Sequence, residues 1–240
     1  MGLEALVSTA VNVIYAALDK YEVTCVAFSG GKDSTVMARL VLDVVEREGF
    51  EQPIFLLADP IPMRETVEYV KRVVKEWGIS RYVFFTDIIL EKHWEKAGEA
   101  GEDKQRCCYW LKVKALEDWI ERKGIEALFV AIRRDEHPAR ARETYFSPRK
   151  THMRIHPMLD WMWIDVWMYI KERGLPVNPL YFKGYTSLGC APCTSKAVDR
   201  EFNSIDEIVE FVKSGKVKER QGRDIDKEMI MERLRGLGYF

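Results

Sequence analysis

Long apolar runs, a basic N-terminus and a surplus of positive charge are all missing from this sequence of 240 residues. No stretch approaches the roughly 18 uninterrupted apolar residues that a membrane-spanning helix needs. The opening residues MGLEALVSTAVNVIYAALDKYE carry Glu4 where a secretory signal would be basic. We therefore expect a cytoplasmic protein with no membrane association. The net charge of -1 gives no overall electrostatic basis for binding nucleic acid.

Amide side chains are scarce as well. Asn and Gln total six, while 31% of the residues are charged, a balance typical of proteins from thermophiles. At 47% hydrophobic and 12% aromatic residues, the chain can bury a large core, either as one large domain or as a domain with an appendage.

Strand and helix patterns alternate along the first half of the chain. Short apolar strands are predicted at 24–28, 53–58, 81–86 and 126–132, and amphipathic helices at 3–19, from Asp33 to Gly49, 65–78 and 110–124. This alternation predicts an α/β fold with a doubly wound, mostly parallel sheet, whose ligand lies beyond the carboxyl ends of the strands.

The second half of the chain has a different character, rich in Arg, Pro and Trp. We expect residues 1–133 to form the nucleotide-binding core and residues 134–240 to fold over the mouth of the sheet as part of the same domain. In that second segment the pattern predicts a helix at 164–174 and little strand.

A glycine-rich turn, SGGKDS, joins the first strand to the second helix. Such a turn exposes backbone N–H groups at a helix N-terminus, where anions bind, and glycine lets a phosphate approach the backbone closely. The Walker A spacing is absent. The order of strand, SGGKDS and helix resembles the PP-loop of ATP pyrophosphatases, which implies binding of ATP with Mg2+ and cleavage at the α-phosphate. The nucleotide-binding candidates in this turn are Ser29, Gly30, Gly31, Lys32, Asp33 and Ser34.

A second cluster of candidates lies in the arginine-rich stretch 131–150, which starts where the fourth predicted strand ends. Arginine suits planar recognition of phosphate or sulfate, so we predict an oxyanion-binding segment rather than a salt-bridged surface. Its candidates are Arg133, Arg134, Arg140, Arg142 and Arg149.

Three blocks of the second half resemble the phosphoadenosine phosphosulfate reductase superfamily. They are IRRDEHPARARETYFSPR, IHPMLDWMWIDVWMYI and GLPVNPLYFKGYTSLGCAPCT. That superfamily includes reductases of adenylyl sulfate and the small subunit of sulfate adenylyltransferase. In LLADPIPMRET, Asp59 stands where relatives carry Asp-Thr-Gly, which implies that Asp59 faces the nucleotide.

Five cysteines occur in the sequence. Cys25 falls within a predicted strand and is expected to act as a small buried hydrophobe. The other four form two pairs, Cys107 with Cys108 and Cys190 with Cys193, and four soft ligands suit an iron-sulfur cluster or zinc. Disulfides and buried thiols are the alternatives. Both pairs resemble the motifs that hold a 4Fe-4S cluster in adenylyl-sulfate reductases, which implies that cofactor here.

The end of the sequence guides the choice among reactions. Reductases of the superfamily use a tail cysteine as nucleophile, whereas no cysteine follows Cys193, and ERQGRDIDKEMIMERLRGLGYF resembles the end of the sulfate adenylyltransferase small subunit. We therefore predict an enzyme that cleaves ATP to pyrophosphate with sulfate as acceptor. Its predicted catalytic residues are Lys32, Arg133, Arg134, Arg140 and Arg142.

Two other reactions stay open. The first is reduction of adenylyl sulfate or phosphoadenylyl sulfate to sulfite, with the cluster and with thioredoxin as electron donor. The second is ATP-dependent sulfur transfer to nucleic acid, supported only by the basic segment KSGKVKERQGR at 213–223, which fits a solvated helix end or a substrate lid better. The resemblance also implies a GTPase or a sulfur-carrier subunit as partner, and a homo-oligomer is compatible with the sequence.

Overall fold

The computed structural model describes residues 2–137, 140–223, 229–230 and 233. Its strands are β1 (Thr24–Phe28), β2 (Ile54–Leu57), β3 (Tyr82–Phe84), β4 (Ala127–Phe129), β5 (Phe146–Pro148) and β6 (Met153–Ile155). Its α-helices are α1 (Leu3–Lys20), α2 (Lys32–Glu48), α3 (Arg64–Glu76), α4 (Phe85–Ile88), α5 (Glu91–Ala97), α6 (Lys104–Cys107), α7 (Ala115–Lys123), α8 (Trp163–Arg173) and α9 (Ile205–Lys213). A π-helix, Cys108–Lys114, joins α6 to α7.

The six strands form one sheet in the order β3-β2-β1-β4-β6-β5. The pairs β3-β2, β2-β1, β1-β4 and β4-β6 are parallel, and β5 runs antiparallel to β6. The predicted α/β fold with a mostly parallel sheet is therefore confirmed.

Successive residues of a strand point to opposite faces of the sheet, and both faces are apolar here, so helices cover both of them. Val26 and Phe28 of β1 pack into one apolar core with α1, α2, α3, α8 and α9. Cys25 packs into a second core with α4 and α7 on the opposite face. Cys25 is completely buried, and burial raises the pKa of its thiol far above the ordinary value. The expectation that it serves as a small buried hydrophobe is confirmed.

The prediction of little strand after residue 133 was wrong. Strands β5 and β6 add an edge to the sheet, and β6 pairs with β4 in the register Leu128 to Arg154. Each of these strands has three residues, too few to show a period of two, and β5 includes Pro148, which is tolerated because β5 is the edge strand. Pairing with the existing sheet, rather than local propensity, creates both strands.

The predicted helices are present with small shifts of boundary. Helix α2 is followed by Gly49, which takes the left-handed conformation with φ 74°, as is common just after a helix. The predicted helix at 110–124 is instead the π-helix followed by α7. Among the described residues, no helix is long and apolar enough to cross a membrane.

Candidate nucleotide and cysteine site

The glycine turn, residues 29–34, has a conformation that only glycine accommodates at its second position. Gly30 has φ +80°, and a Cβ atom there would lie 2.8 Å from Cγ1 of Val70 and 2.9 Å from Cγ2 of Thr66. The Asn178 side-chain amide donates hydrogen bonds to the Gly30 carbonyl at 3.2 Å and to Thr66 Oγ1 at 3.1 Å. The turn is thus clamped between α3 and the segment after α8.

The polar groups of the turn are held in place by their neighbours. The Ser34 hydroxyl donates to the Gly31 carbonyl at 2.9 Å and lies 3.1 Å from the Ser29 hydroxyl. The backbone N–H of Lys32, the first residue of α2, donates to the Tyr181 hydroxyl at 2.9 Å. Burial raises the pKa of that phenol, so Tyr181 stays neutral. The Tyr181 hydroxyl thus accepts from one of the backbone N–H groups that have no partner within α2.

A cavity of about 270 Å³ opens beside the turn, at the carboxyl ends of the parallel strands. This is the location that the fold predicts for a ligand. One wall is apolar and is formed by Ala27, Leu56, Phe85, Leu116, Leu128 and Val130. The polar lining includes Ser29, Gly31, Asp33, Ser34, Asp59, Lys112, Arg140, Arg154, Arg220 and Arg223. We call this space the strand-end cavity.

Two cations under the turn are already paired with carboxylates. The Lys32 ammonium pairs with Asp33 at 2.8 Å and with Glu219. The Arg133 guanidinium, 0% exposed, pairs with Asp33, with Asp135 at 2.9 Å and with Glu219 at 2.5 Å. Arg133 therefore lies beneath the site as part of an ion-pair network.

Three acids beside the glycine turn come close enough to share a cation. One carboxylate oxygen from each of Asp33, Glu136 and Glu219 lies within 4.8 Å of the others. Burial opposes the charge of Glu136, but Arg140, Arg133 and Arg220 together hold its carboxyl pKa well below the ordinary value. Oxygen ligands of this kind are those that Mg2+ prefers.

The other predicted arginines are dispersed. Arg140 pairs with Glu136 and lines the strand-end cavity. Arg134 pairs with Asp160 at the surface, and Arg142 is exposed. Arg149 pairs with Glu143 at 2.9 Å and lines a separate cavity of about 140 Å³. Of the five predicted oxyanion-binding arginines, the structure thus brings Arg140 to the cavity surface.

Three arginines that sequence reasoning did not select line the cavity instead: Arg154, Arg220 and Arg223. Arg154 lies on β6, a strand that the sequence pattern did not indicate. Arg220 and Arg223 belong to the basic segment that we interpreted as a helix end or lid. The feature of the sequence that could have identified Arg220 and Arg223 is the similarity of ERQGR to the end of the sulfate adenylyltransferase small subunit.

Asp59 reaches the cavity through a strained backbone position. The preceding residue, Ala58, has φ 65°, unusual for a residue other than glycine, and its N–H donates to the Phe28 carbonyl at 2.9 Å. Asp59 is 8% exposed and pairs with Lys112 Nζ at 2.9 Å. Lys112 belongs to the π-helix, a form often found at functional sites.

The four paired cysteines converge. Cys107, Cys108, Cys190 and Cys193 line one pocket, together with Pro60, Ile61 and Lys112. The backbone of the second pair is held against the chain after β2, because the Ala191 N–H donates to the Ile61 carbonyl at 2.8 Å. Cys190 and Cys193 carry no disulfide in this structure.

This cysteine pocket suits a soft metal centre. Four sulfur donors from two distant segments meet in one place, and that donor set fits a 4Fe-4S cluster or zinc. Lys112 lines both the cysteine pocket and the strand-end cavity.

The segment that carries Arg220 and Arg223 is fastened beside the second cysteine pair. The Ser195 N–H donates to the Gly222 carbonyl at 2.9 Å, and Thr194 pairs with Arg223 in an isolated antiparallel bridge. We call residues 214–223 the tail segment.

Comparisons with known proteins identify the family of this chain. The family model described as the phosphoadenosine phosphosulfate reductase domain matches residues 24–196. Adenosine 5'-phosphosulfate reductase 1 of Bacillus subtilis is 30% identical over 167 residues, covering 68% of this chain and 71% of that protein. A sulfate adenylyltransferase subunit 2 of Alkalilimnicola ehrlichii is 24% identical and covers 99% of this chain and 93% of that protein.

Solved structures share the fold at low sequence identity. Candida glabrata FMN adenylyltransferase in complex with ATP has a TM-score of 0.65 at 15% identity, covering 92% of this chain and 87% of that one. The phosphoadenylyl-sulfate reductase of Candida auris has a TM-score of 0.57 at 17% identity, covering 79% of this chain and 94% of that one. With the family model matching from β1 to beyond the second cysteine pair, the chain belongs to the phosphoadenosine phosphosulfate reductase domain family.

Proposed function

We propose that this protein reduces adenylyl sulfate to sulfite and AMP. One observation carries the proposal: Lys112 lines both the strand-end cavity and the pocket formed by the four paired cysteines. A nucleotide in the cavity would therefore hold its sulfur oxyanion near the cysteine centre. The similarity to adenosine 5'-phosphosulfate reductases supports the same reaction.

The cavity offers one surface for each part of such a substrate. The apolar wall, which includes Leu56, Phe85 and Leu128, suits an adenine ring. Arg140, Arg154 and Arg223 lie on the polar side and suit the phosphate and sulfate oxygens. These arginines would orient the anhydride and stabilise the charge that develops on the departing phosphate.

The reaction needs a thiol donor. A thiolate of thioredoxin or a small dithiol would attack the sulfate sulfur, and the bond from sulfur to the phosphate oxygen would break to release AMP. The second thiol of the donor would then release sulfite as the donor disulfide forms. Cys107, Cys108, Cys190 and Cys193 would hold a 4Fe-4S cluster, which would tune the electrostatics beside the sulfate while the dithiol supplies both electrons.

The test is sulfite formation from adenylyl sulfate and a dithiol, with protein purified without oxygen. We expect sulfite and AMP in equal amounts, and an Arg140→Met variant about 10²-fold slower, because it loses a donor to the oxyanion. Arg72→Met on the exposed face of α3 is the matched control and should keep full activity. Absence of sulfite from cluster-loaded protein would contradict the proposal.

A second candidate is adenylyl transfer from ATP to sulfate, the reaction that sequence analysis placed first. It is supported by the intact SGGKDS turn and by the sulfate adenylyltransferase subunit 2 that covers nearly the whole chain. Asp33, Glu136 and Glu219 would then be candidates to hold Mg2+. Relatives named as adenosine 5'-phosphosulfate reductases favour reduction over this alternative.

The two reactions separate in one assay. Adenylyl transfer predicts pyrophosphate release from ATP that depends on sulfate and requires no dithiol, whereas reduction predicts none. A GTPase partner, a sulfur-carrier partner and sulfur transfer to nucleic acid stay predictions from sequence resemblance.

A further inference from the structure

We propose that the Tyr181 hydroxyl donates a hydrogen bond to the phosphate of the bound nucleotide at the glycine turn. Because this hydroxyl accepts from the Lys32 N–H while it donates to the ligand, it extends the anion-binding N-terminus of α2 toward that phosphate. This inference rests on the proposed reductase function and adds a residue to its substrate site.

The Tyr181 hydroxyl can both accept and donate a hydrogen bond. Its oxygen accepts from the Lys32 N–H at 2.9 Å, and among the residues that the structure describes no acceptor lies within hydrogen-bond distance of its proton. The Tyr181 side chain is 2% exposed, and a buried donor without an acceptor is unfavourable. Burial also raises the pKa of the phenol, so the proton stays on the oxygen and is available to a ligand.

The same hydroxyl borders the strand-end cavity beside Gly31. Tyr181, Gly31 and Ser29 all line that cavity. A Cβ atom on Gly31 would lie 3.4 Å from Tyr181 Oη and 3.6 Å from Ser29 Oγ. Since glycine has no side chain, the space between these two hydroxyls is open to an anionic oxygen of a ligand.

The Tyr181 ring is fixed by its packing. It meets the Trp167 ring edge-on, with centroids 5.2 Å apart and an interplanar angle of 89°, and Lys32 Nζ lies 5.8 Å from its centroid. Its backbone belongs to a short 3-10 helix, Pro179–Lys183, which follows Asn178, the residue whose amide clamps the glycine turn. The hydroxyl is therefore in position before a ligand binds, so binding requires little reorganisation.

The phosphate is the oxyanion of adenylyl sulfate that fits this position. The proposed reaction places the sulfate at the end of the cavity that Lys112 shares with the cysteine pocket. The phosphate links the sulfate to the adenosine, so it is the anionic group left for the glycine turn. A neutral phenol suits this role, because it donates to a phosphate oxygen and leaves the ion pairs of Lys32 and Arg133 intact.

Binding measured without turnover tests this inference. Calorimetric titrations of the full-length protein, purified without oxygen and titrated without Mg2+, compare AMP with adenosine, which lacks the phosphate. We expect Tyr181→Phe to bind AMP about tenfold more weakly than the wild type, because a hydrogen bond to a charged group is lost, and to bind adenosine within about twofold. Equal losses for AMP and adenosine would overturn the proposal.

Tyr69→Phe is the matched control. Tyr69 is also 2% exposed, and its hydroxyl donates to the Pro176 carbonyl at 3.0 Å and lies 2.9 Å from Thr35 Oγ1, but it lies outside the lining of the strand-end cavity. Because this variant also loses a buried hydrogen bond, it should lower stability and keep both affinities within about twofold of the wild type. A loss of AMP affinity as large as that of Tyr181→Phe would contradict a direct contact between Tyr181 and the ligand.

A second variant keeps the test decisive if Tyr181→Phe does not fold. Tyr181→3-fluorotyrosine retains the hydroxyl and makes it a stronger donor, since fluorine makes a phenol more acidic. We expect the ratio of AMP affinity to adenosine affinity to rise by about twofold, because only AMP carries the acceptor. A ratio that is unchanged or lower would overturn the proposal.

The proposed reductase function can fail independently. Absence of sulfite formation by a protein whose Tyr181→Phe variant loses AMP affinity would overturn the reductase proposal alone. Sulfite formation by the wild type, together with unchanged AMP binding by Tyr181→Phe, would overturn the Tyr181 proposal alone. A Tyr181→Phe variant that loses affinity for inorganic pyrophosphate but not for AMP would assign the hydroxyl to a β-phosphate, and that result would also overturn the proposal.

Discussion

Lys112 Nζ lies 2.9 Å from Oδ1 of Asp59, and this ion pair stands where the strand-end cavity meets the cysteine pocket. Burial works against the charge on Lys112, but the Asp59 carboxylate and the nearby Cys190 raise its pKa above the ordinary value. Lys112 therefore stays cationic between the two sites.

Removing this cation should weaken both the fold and anion binding. We expect Lys112→Met to lower the free energy of unfolding by about 1–3 kcal/mol, because the nearly buried Asp59 carboxylate loses a charged hydrogen-bond partner. Urea unfolding measures that loss, and AMP titration measures the affinity. Lys75→Met, on the exposed side of α3, should leave both unchanged. Equal stability of Lys112→Met and wild type would contradict the prediction.

The four converging cysteines should act as one ligand set. Cys190→Ser and Cys193→Ser, made separately, should each lose most of the bound iron and the visible absorption of protein purified without oxygen, because a cluster needs all four thiolates. Cys25→Ala, in β1 and outside the cysteine pocket, should retain both signals. If the wild-type protein contained zinc instead of iron, the prediction of a cluster would be wrong, and the prediction that the four cysteines bind one metal centre would still hold.

The two glycines of the turn should respond differently to the same substitution. Gly30→Ala forces a left-handed alanine against Val70 and Thr66, so we expect a loss of about 2–4 kcal/mol in the free energy of unfolding. Gly31 has φ -81°, and a Cβ atom there would lie 3.4 Å from its nearest neighbour, Tyr181 Oη. Gly31→Ala should therefore cost less than about 1 kcal/mol. Urea unfolding of both variants measures the difference, and similar losses would contradict the described turn.

Acid should destabilise the protein through His152. Burial and the charges of Arg154 and Arg149 lower the pKa of His152 to about 4, against about 6.5 in an unfolded chain. The unfolded state therefore binds the proton first, and the contribution of His152 to stability, complete above pH 6.5, is lost as the pH falls toward 4.

His152→Gln should flatten that part of the stability profile, measured by urea unfolding between pH 7.5 and 4.5. His156, whose pKa burial also lowers, should preserve part of the slope. A profile for His152→Gln as steep as that of the wild type would contradict the assignment.

Sequence reasoning identified the features that short-range patterns encode. Strand β1, the glycine turn and α2 follow one another in 24–49, so apolar runs and glycine placement predicted them. The convergence of the two cysteine pairs also followed, once resemblance supplied the topology. These features are local, or repeat a known motif.

The features that were missed depend on long-range contacts. Arg154 reaches the cavity from β6, which exists because it pairs with β4. Glu219 pairs with Lys32, which lies 187 residues earlier in the sequence. A glutamate in a basic segment does not indicate which distant lysine it will contact. Arg133 shows the opposite error, since a residue type suited to anions is fully buried among acids of its own chain.

The tail segment connects the cysteine pocket to the glycine turn. A Cβ atom on Gly222 would lie 2.3 Å from the Ser195 carbonyl oxygen, and one on Gly189 would lie 1.9 Å from Nη1 of Arg223. A side chain at either glycine would therefore collide with the facing segment, and glycine allows the two segments to approach this closely. The same ten-residue segment therefore contacts the loop that carries Cys190 and Cys193 through Gly222 and Arg223, and the glycine turn through the ion pair of Glu219 with Lys32.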